Sequence, residues 1–542
     1  MVELVNPNSS LGYSRLYLDQ VSGNSEALHF YAGQSLEEVA DSLDGINYPR
    51  DAVADLLETQ NRSYGCSQAT FDNIDKLRDS GTLCVFSGQQ AGLFGGPMLV
   101  IFKALAIVKA CRKYAKTLNR PVVPMFWIAA DDHDFAEVNH TFILDHGSEV
   151  CRVSYDGVRD LELPMGETSL SDVDALDRAR QQLREELGDS DFTDDLYSLI
   201  DRCYTTEDTF VSAFAKLMTA LVGEYGLVLF SPSDPKAKQL AVPLFEQILH
   251  KQDELHGQLN AANREIVDSG YHLQVEKKPE AVHLFLNREG RRPILRDGDM
   301  FVAGEERFIL DELLQLIRSE PERFSPDVMT KPVFQSYLFP VLSQKGGPAE
   351  IAYLAQMNRL FPLFDRVAPY YRARATATIV EKRFQKIMTA HDISLEDLAG
   401  DVEQVVNRVL GVSFPSDLEQ KSQTMKTDVD ETVGSFVDMA LKFEPSLETY
   451  SNQVRGKIDH LLRQMEGKLF AAHKRRSAQV RDSIYRLWRV LYPHRALQER
   501  TLNMSYFLSR YGRGIIPFLF EQLDSEETSH QLIHLSDLKE AP

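Results

Sequence analysis

The sequence predicts an α/β protein: a parallel-sheet core with inserts, followed by an α-helical coiled-coil domain. Three observations carry this reading. Short apolar strands each run into a polar turn and then a helical pattern, glycine thins out after about Arg374, and a heptad-like seam runs from Leu447 to Leu491. At 542 residues the chain exceeds one ordinary core, which stops growing at roughly 250–300 residues.

The first strand is expected from Thr82 to Phe86, followed by a glycine-rich loop and a helix from Pro97 to Tyr114 with Met98, Ile101, Leu105 and Val108 on one face. The second, Val122 to Ala129, is apolar throughout, as strands covered on both faces are. Gly226 to Phe230 and Phe339 to Ser343 are further strands, each again leading into a helical pattern, which implies right-handed parallel crossovers. The acidic, helical stretch from Cys151 to Glu224 reads as one insert. A second lies within residues 236–330, where Tyr271 to Ala303 alternates and turns at Arg288-Glu289-Gly290 and Asp297-Gly298.

Residues 1–380 are therefore read as the core with its inserts, about 151–224 and 236–330, and residues 381–542 as the helical domain, whose last segment returns to the core. Met425, Val429, Val433, Phe436 and Leu441 form one apolar stripe. Beyond Pro445, Leu447, Val454, Ile458, Leu461, Met465 and Ala472 form another, and Val480, Ile484, Leu487 and Leu491 continue it in a shifted frame. Two long antiparallel helices follow from this, either a solvated strut or the seam of a homodimer.

A net charge of −21, from 59 basic and 80 acidic residues, opposes non-specific attraction to nucleic acid. The N-terminal run Met1 to Pro7 lacks the basic start and apolar core of a signal peptide, and no stretch has the roughly 18 apolar residues of a membrane span, so a cytoplasmic location is expected. Cys66, Cys84, Cys111, Cys151 and Cys203 form no CxxC pair and read as small buried hydrophobes.

In parallel sheets ligands bind beyond the carboxyl ends of the strands, and the polar motifs cluster there. The loop Ser87-Gly88-Gln89-Gln90 through Gly95-Gly96-Pro97 precedes a helix and suits a phosphate or carboxylate, although it is neither a P-loop nor a dinucleotide fingerprint. Asp131-Asp132-His133-Asp134, with Glu137, Asn139 and His140 close behind, is open to four readings: a solvated helix cap, acid–base chemistry at His133, carboxylate capture of an amino group, or a metal site. Gly346-Gly347-Pro348-Ala349-Glu350, with Tyr353, repeats the glycine turn at a helix start. Lys331, Gln335, Arg372 and Arg374 are cations or donors that could offset anionic ligand charge.

These residues resemble the cysteine ligases of bacillithiol biosynthesis. The resemblance rests on Ser87 to Gln90 with Gly95-Gly96-Pro97 and Lys103, on Phe126 to Ala129 leading into Asp131 to Phe135, and on Glu137 to His140. It continues through Leu229 to Pro235, Pro332, Gln335, Gly346-Gly347, Glu350 and Tyr353 to Leu497-Gln498-Glu499-Arg500, nearly the whole chain. Ser87, Asp131 and Lys331 stand where such proteins usually carry threonine, glutamate and arginine, and His494-Arg495-Ala496 replaces a glycine-containing turn.

The resemblance implies a Rossmann-like core related to class I aminoacyl-tRNA synthetases and a coiled coil that forms a homodimer. The implied reaction joins the carboxyl of L-cysteine to the amine of glucosaminyl malate, with ATP as activator through an acyl adenylate or acyl phosphate. It leaves magnesium open and assigns no metal ligand. On this reading His133 is the base, oriented by Asp132 or Asp134, and the Ser87 to Pro97 loop holds phosphates or carboxylates. Gln335, Arg372, Gln498 and Arg500 bind substrate carboxylates, and Lys103, Asn139, His140, Gly346, Gly347, Glu350 and Tyr353 complete the substrate or nucleotide site. A metal-dependent hydrolase using Asp131 to His140 and a non-catalytic coiled-coil scaffold are the competing readings.

Overall fold

Five parallel strands form the central sheet: β1 (Leu83–Gln89), β2 (Val122–Ile128), β3 (Val228–Phe230), β4 (Val341–Gly346) and β5 (Tyr370–Ala373), in the order β5-β4-β1-β2-β3. The computed structural model describes residues 2–7, 11–31, 35–157, 163–288, 290–412 and 415–538. The chain divides into two units, Met1–Glu381 with Pro493–Pro542, and Lys382–Tyr492.

Every residue of β2 is buried, which is what its unbroken apolar run requires between two covering layers. Helix α1 (Leu99–Leu118) packs on β1 and β2, burying residues such as Phe102, Leu105 and Ile107, and Asn119 stops it in the left-handed conformation.

Strand β1 runs past the expected Phe86. Ser87, Gly88 and Gln89 are ladder residues rather than loop residues, because the register continues through Ser87↔Phe126, Gly88↔Trp127 and Gln89↔Ile128. A Cβ on Gly88 would lie 2.4 Å from the Trp127 carbonyl oxygen, so close strand approach explains this glycine. Strand β4 begins later than expected because Pro340 has no amide for the ladder. It extends through Gln344, Lys345 and Gly346, opposite Tyr371, Arg372 and Ala373.

The chain builds β1, β2 and β3 outward on one side, then crosses to place β4 and β5 on the other. The order therefore reverses between β1 and β4, and this divergence opens a crevice at their carboxyl ends. Two short helices complete its walls, α2 (Lys331–Leu338) and α3 (Pro348–Met357).

The β insert is larger than its alternation suggests. Ala281–Arg288, Gly290–Asp297 and Met300–Ala303 are joined by Glu306–Phe308 and Phe324–Pro326 in a five-stranded antiparallel sheet; Glu289, in the expected turn, lies outside the described residues. A third sheet pairs Val2–Val5 antiparallel with His530–His534, which lies parallel to Thr376–Val380.

In the second unit, α4 (Ser416–Phe443) and α5 (Glu448–Arg476) fold back on each other across Pro445–Leu447, with Arg455 bonded to Asp430 and Lys426 to Glu466. Neither helix has a buried residue, and Phe436, Met439, Phe443, Leu461 and Met465 are exposed. The shifted frame coincides with a break at Ser477. Beyond it the helix Ala478–Leu491 buries Ile484, Leu487 and Leu491. Among the described residues no helix is long and apolar enough to cross a membrane.

Candidate active site

The crevice at the sheet reversal has two chambers. The larger, about 350 Å³, is lined by Gly88, Gln89 and Gln90 from β1 and its end, Lys103 from α1, Gly347, Glu350 and Tyr353 from the α3 turn, and Glu137, Arg374 and Arg500. Lys103 organises its floor. Its Nζ donates to the Gly88 carbonyl at 2.7 Å, to Gln89 Oε1 at 2.9 Å and to Glu350 Oε2 at 2.8 Å. Glu350 also accepts from the Gly347 amide. Burial alone would raise the Glu350 pKa, but the ammonium of Lys103 and the Gly347 amide hold it below its usual value.

Gln90 bridges two carboxylates on the facing wall, donating to Asp132 Oδ2 and Glu137 Oε2, each at 2.8 Å. Burial raises the pKa of Glu137, against the Gln90 hydrogen bond. Arg374 is nearly inaccessible, donating one Nη to Glu499 at 2.6 Å and the other to the Ala375 carbonyl, while its Nε has no acceptor among the described residues. A Cβ on Gly347 would stand 3.4 Å from that Nε, so the absent side chain keeps room there for an oxygen anion.

The smaller chamber, about 250 Å³, lies between the end of β2 and the β insert and is lined by Asp131, Lys277, Arg291 and Asp327 among apolar surfaces. Ala129, Asp132 and Lys331 line both chambers. Asp131 is closed by Lys238, with Nζ to oxygen distances of 2.7 and 2.8 Å. Asp327 accepts from His283, Lys277 and the Met329 amide, and these partners hold its carboxyl far below the usual range despite burial. Among the described residues Lys331 makes no ion pair, and burial lowers its pKa, opposed by Glu350 and Asp132.

The N-terminal Rossmann-like domain of the bacillithiol biosynthesis protein BshC matches residues 2–375, and the C-terminal coiled-coil domain of BshC matches residues 377–535. The chain belongs to the BshC family. Relatives named as cysteine ligase BshC include one from Koribacter versatilis, 31% identical over 94% of this chain and 95% of its own length, and one from Salinibacter ruber, 30% identical over 97% of each. A third, from Bacillus cytotoxicus, is 28% identical over 90% of this chain and 91% of its own length.

In this BshC chain the crevice gathers Gly88, Gln89, Gln90, Lys103, Asp132, Gly347, Glu350, Tyr353 and Arg500 from the sequence-derived set. His133 stands beside it, its Nδ1 3.7 Å from Asp132. Other residues of the set have different partners. Ser87 donates across the sheet to the Lys345 carbonyl, Asp134 caps the short helix Phe135–Val138, Asn139 bonds the Tyr155 carbonyl, and His140 faces Asn139 and Phe142. Gly95 and Gly96 shape a left-handed turn bonded to Tyr204 and Asn503. Gln335 is buried outside both chambers, and Gly346 ends β4. Arg372 sits over the Tyr370 ring, and Gln498 pairs with both backbone groups of Ile379.

The Asp131 to His140 cluster thus does not converge as a metal site. Among the described residues only Asp145, Cys151 and Glu186 have ligand atoms close enough together, and they lie on the His140–Leu144/Val150–Ser154 hairpin and the helix Val173–Leu187. Arg291 has no counterpart among the residues the sequence points to, whereas Lys331 and Arg374 are expected there only as cations that could offset ligand charge, and Glu137 only as a neighbour of the Asp131 to Asp134 cluster. Lys331, Arg374 and Glu137 each adjoin a recognised motif, whereas Arg291 lies in a strand with no local signal.

Proposed function

We propose that this BshC chain is a cysteine ligase that joins the carboxyl of L-cysteine to the amine of glucosaminyl malate, the amide-forming last step of bacillithiol synthesis. The observation that carries this reading is Lys331, a cation without an ion pair among the described residues, shared by two adjoining chambers of unlike size and lining. Two reactants held side by side with charge stabilisation at their junction is the arrangement amide formation needs.

ATP as activator is supported by Arg374, Lys331 and Arg500, cations that line the larger chamber beside the α3 N-terminus. Bound nucleotide supplies the group that turns a carboxyl oxygen into a leaving group. The chain's own residues then orient the reactants and take one proton from the attacking amine. Glu137, which lines the larger chamber, and His133, beside Asp132, are the two candidate acceptors, and the raised pKa makes Glu137 a stronger base than an ordinary carboxylate. Magnesium has no assigned ligand here. We place the protein in the cytoplasm as a homodimer joined through α4 and α5, a role their exposed apolar residues support.

The test is thiol production by the purified full chain with cysteine, glucosaminyl malate and ATP, followed by mass spectrometry. Product that requires all three and falls by about 100-fold in Lys331→Met supports the reading. No product, or product indifferent to ATP, removes it. His133→Asn and Glu137→Gln separate the two bases, since loss of the working one abolishes the acid limb of kcat against pH.

A further inference from the structure

We propose that the smaller chamber is a subsite for a free α-amino acid with a small uncharged side chain, in which Arg291 of the β insert and Lys331 hold the carboxylate and Asp132 holds the ammonium. This rests on the ligase reading and assigns one of its two substrates to one of the two chambers.

The chamber's charged groups fall into two sets. Asp131 and Asp327 are already satisfied by Lys238, and by His283, Lys277 and backbone amides, so they act as fixed walls. Asp132 accepts from Gln90 at one oxygen and from the His133 amide at the other, each at 2.8 Å, which leaves each oxygen a second lone pair, and Arg291 and Lys331 retain donors. The Arg291 guanidinium is clamped flat, its Cζ 3.8 Å from the Phe285 ring centre, Nε donating to Ser325 Oγ and one Nη to the Pro326 carbonyl, each at 3.2 Å. The remaining Nη is 4.0 Å from Asp132 Oδ1, leaving one anionic and one cationic group side by side across the chamber.

A zwitterion on a single carbon matches that pair, because each of its charges meets an opposite one without a second counter-ion. At about 250 Å³ the space is smaller than the roughly 300–1,000 Å³ of sites for drug-sized ligands, which disfavours a nucleotide or a glycoside there. Trp127, Ala129, Pro232, Phe285, Pro326 and Val328 supply the rest of the lining. A thiol or methyl lies against such a wall without loss, whereas a charged side chain would be desolvated unpaired. Lys331 opens on both chambers, so a carboxylate on its ammonium faces the larger chamber, where the amine arrives.

Trp127 reports occupancy directly. The chain has two tryptophans, so Trp488→Phe, a change in the second unit, leaves Trp127 as the sole tryptophan, read with excitation beyond the tyrosine band. Titration of that protein should give a saturable emission change with L-cysteine and L-serine, and none with N-acetylcysteine or cysteine methyl ester, which lack the ammonium or the carboxylate. Arg291→Met should raise the half-saturating cysteine concentration and the KM for cysteine at least about tenfold, with the KM for glucosaminyl malate unchanged. Arg291→Lys, which keeps the charge and loses the clamp, should fall between. If Arg291→Met loses its fold, Arg291→Gln gives the same reading, since it removes the charge and keeps a polar side chain in the strand.

An unshifted KM for cysteine in a variant that still makes bacillithiol overturns the subsite and leaves the ligase reading intact. Cysteine binding that depends on Arg291, in a protein that makes no product, does the reverse. Equal responses to cysteine and its N-acetyl derivative also overturn the subsite.

Discussion

Lys103 Nζ stands 2.8 Å from Glu350 Oε2, joining the helix that follows β1 to the helix that follows β4 across the reversal of the sheet. Lys103 is almost fully buried, so removing its charge leaves a carboxylate whose remaining hydrogen-bond partner among the described residues is the Gly347 amide. Lys103→Met should lower stability by about 3 kcal/mol in urea unfolding, and adding Glu350→Gln should recover a large part of the loss. Strictly additive losses would show that the pair does not act as a unit.

His530 gives the fold an acid-sensitive point. Its ring lies between the hydroxyls of Thr376 and Thr378, and burial lowers its pKa from 6.5 to about 4, against the pull of Glu499. The folded state favours the neutral ring, so this contribution is complete above pH 6.5 and is lost as the pH falls toward 4. The expected loss is about 3 kcal/mol over that window, read from unfolding curves at several pH values. His530→Gln should flatten the dependence, and an unchanged slope would reassign it to other groups.

The turn at His494 and Arg495 is strained. Both residues have positive φ, 51° and 59°, the region that glycine occupies without strain. An L side chain in that region costs on the order of 1–2 kcal/mol, and glycine's extra chain entropy offsets part of it. Arg495→Gly should therefore raise stability by roughly 0.5–1 kcal/mol, seen as a higher Tm. A lower Tm would mean that the arginine makes a contact worth more than the strain.

Phe443 and Phe436, 91% and 68% exposed near one end of the α4–α5 hairpin, are apolar residues without cover in one chain. If they join two copies, Phe436→Glu with Phe443→Glu should convert a dimer to a monomer in sedimentation velocity while the helical circular dichroism stays unchanged. Wild-type protein that sediments as a monomer at micromolar concentration would end the homodimer reading.

What the sequence determined by itself is whatever depends on neighbours along the chain. The unbroken apolar run of β2, the helix after β1, and the stripes of α4 and α5 are periodic patterns, and period follows from local backbone geometry. The location of the crevice was legible for the same reason, since motifs at strand ends fall at one edge of a parallel sheet. Partners distant in the chain decided the rest. Gln498 matches a family motif yet is consumed by the backbone of Ile379, and Asp134 by a helix cap. Arg291, in an unremarkable β sequence, faces Asp132 because the insert folds over β2. Val2–Val5 becomes a strand only beside His530–His534. A polar side chain's role is set by which opposite group meets it and by how little water remains between them, and both are properties of the packed molecule.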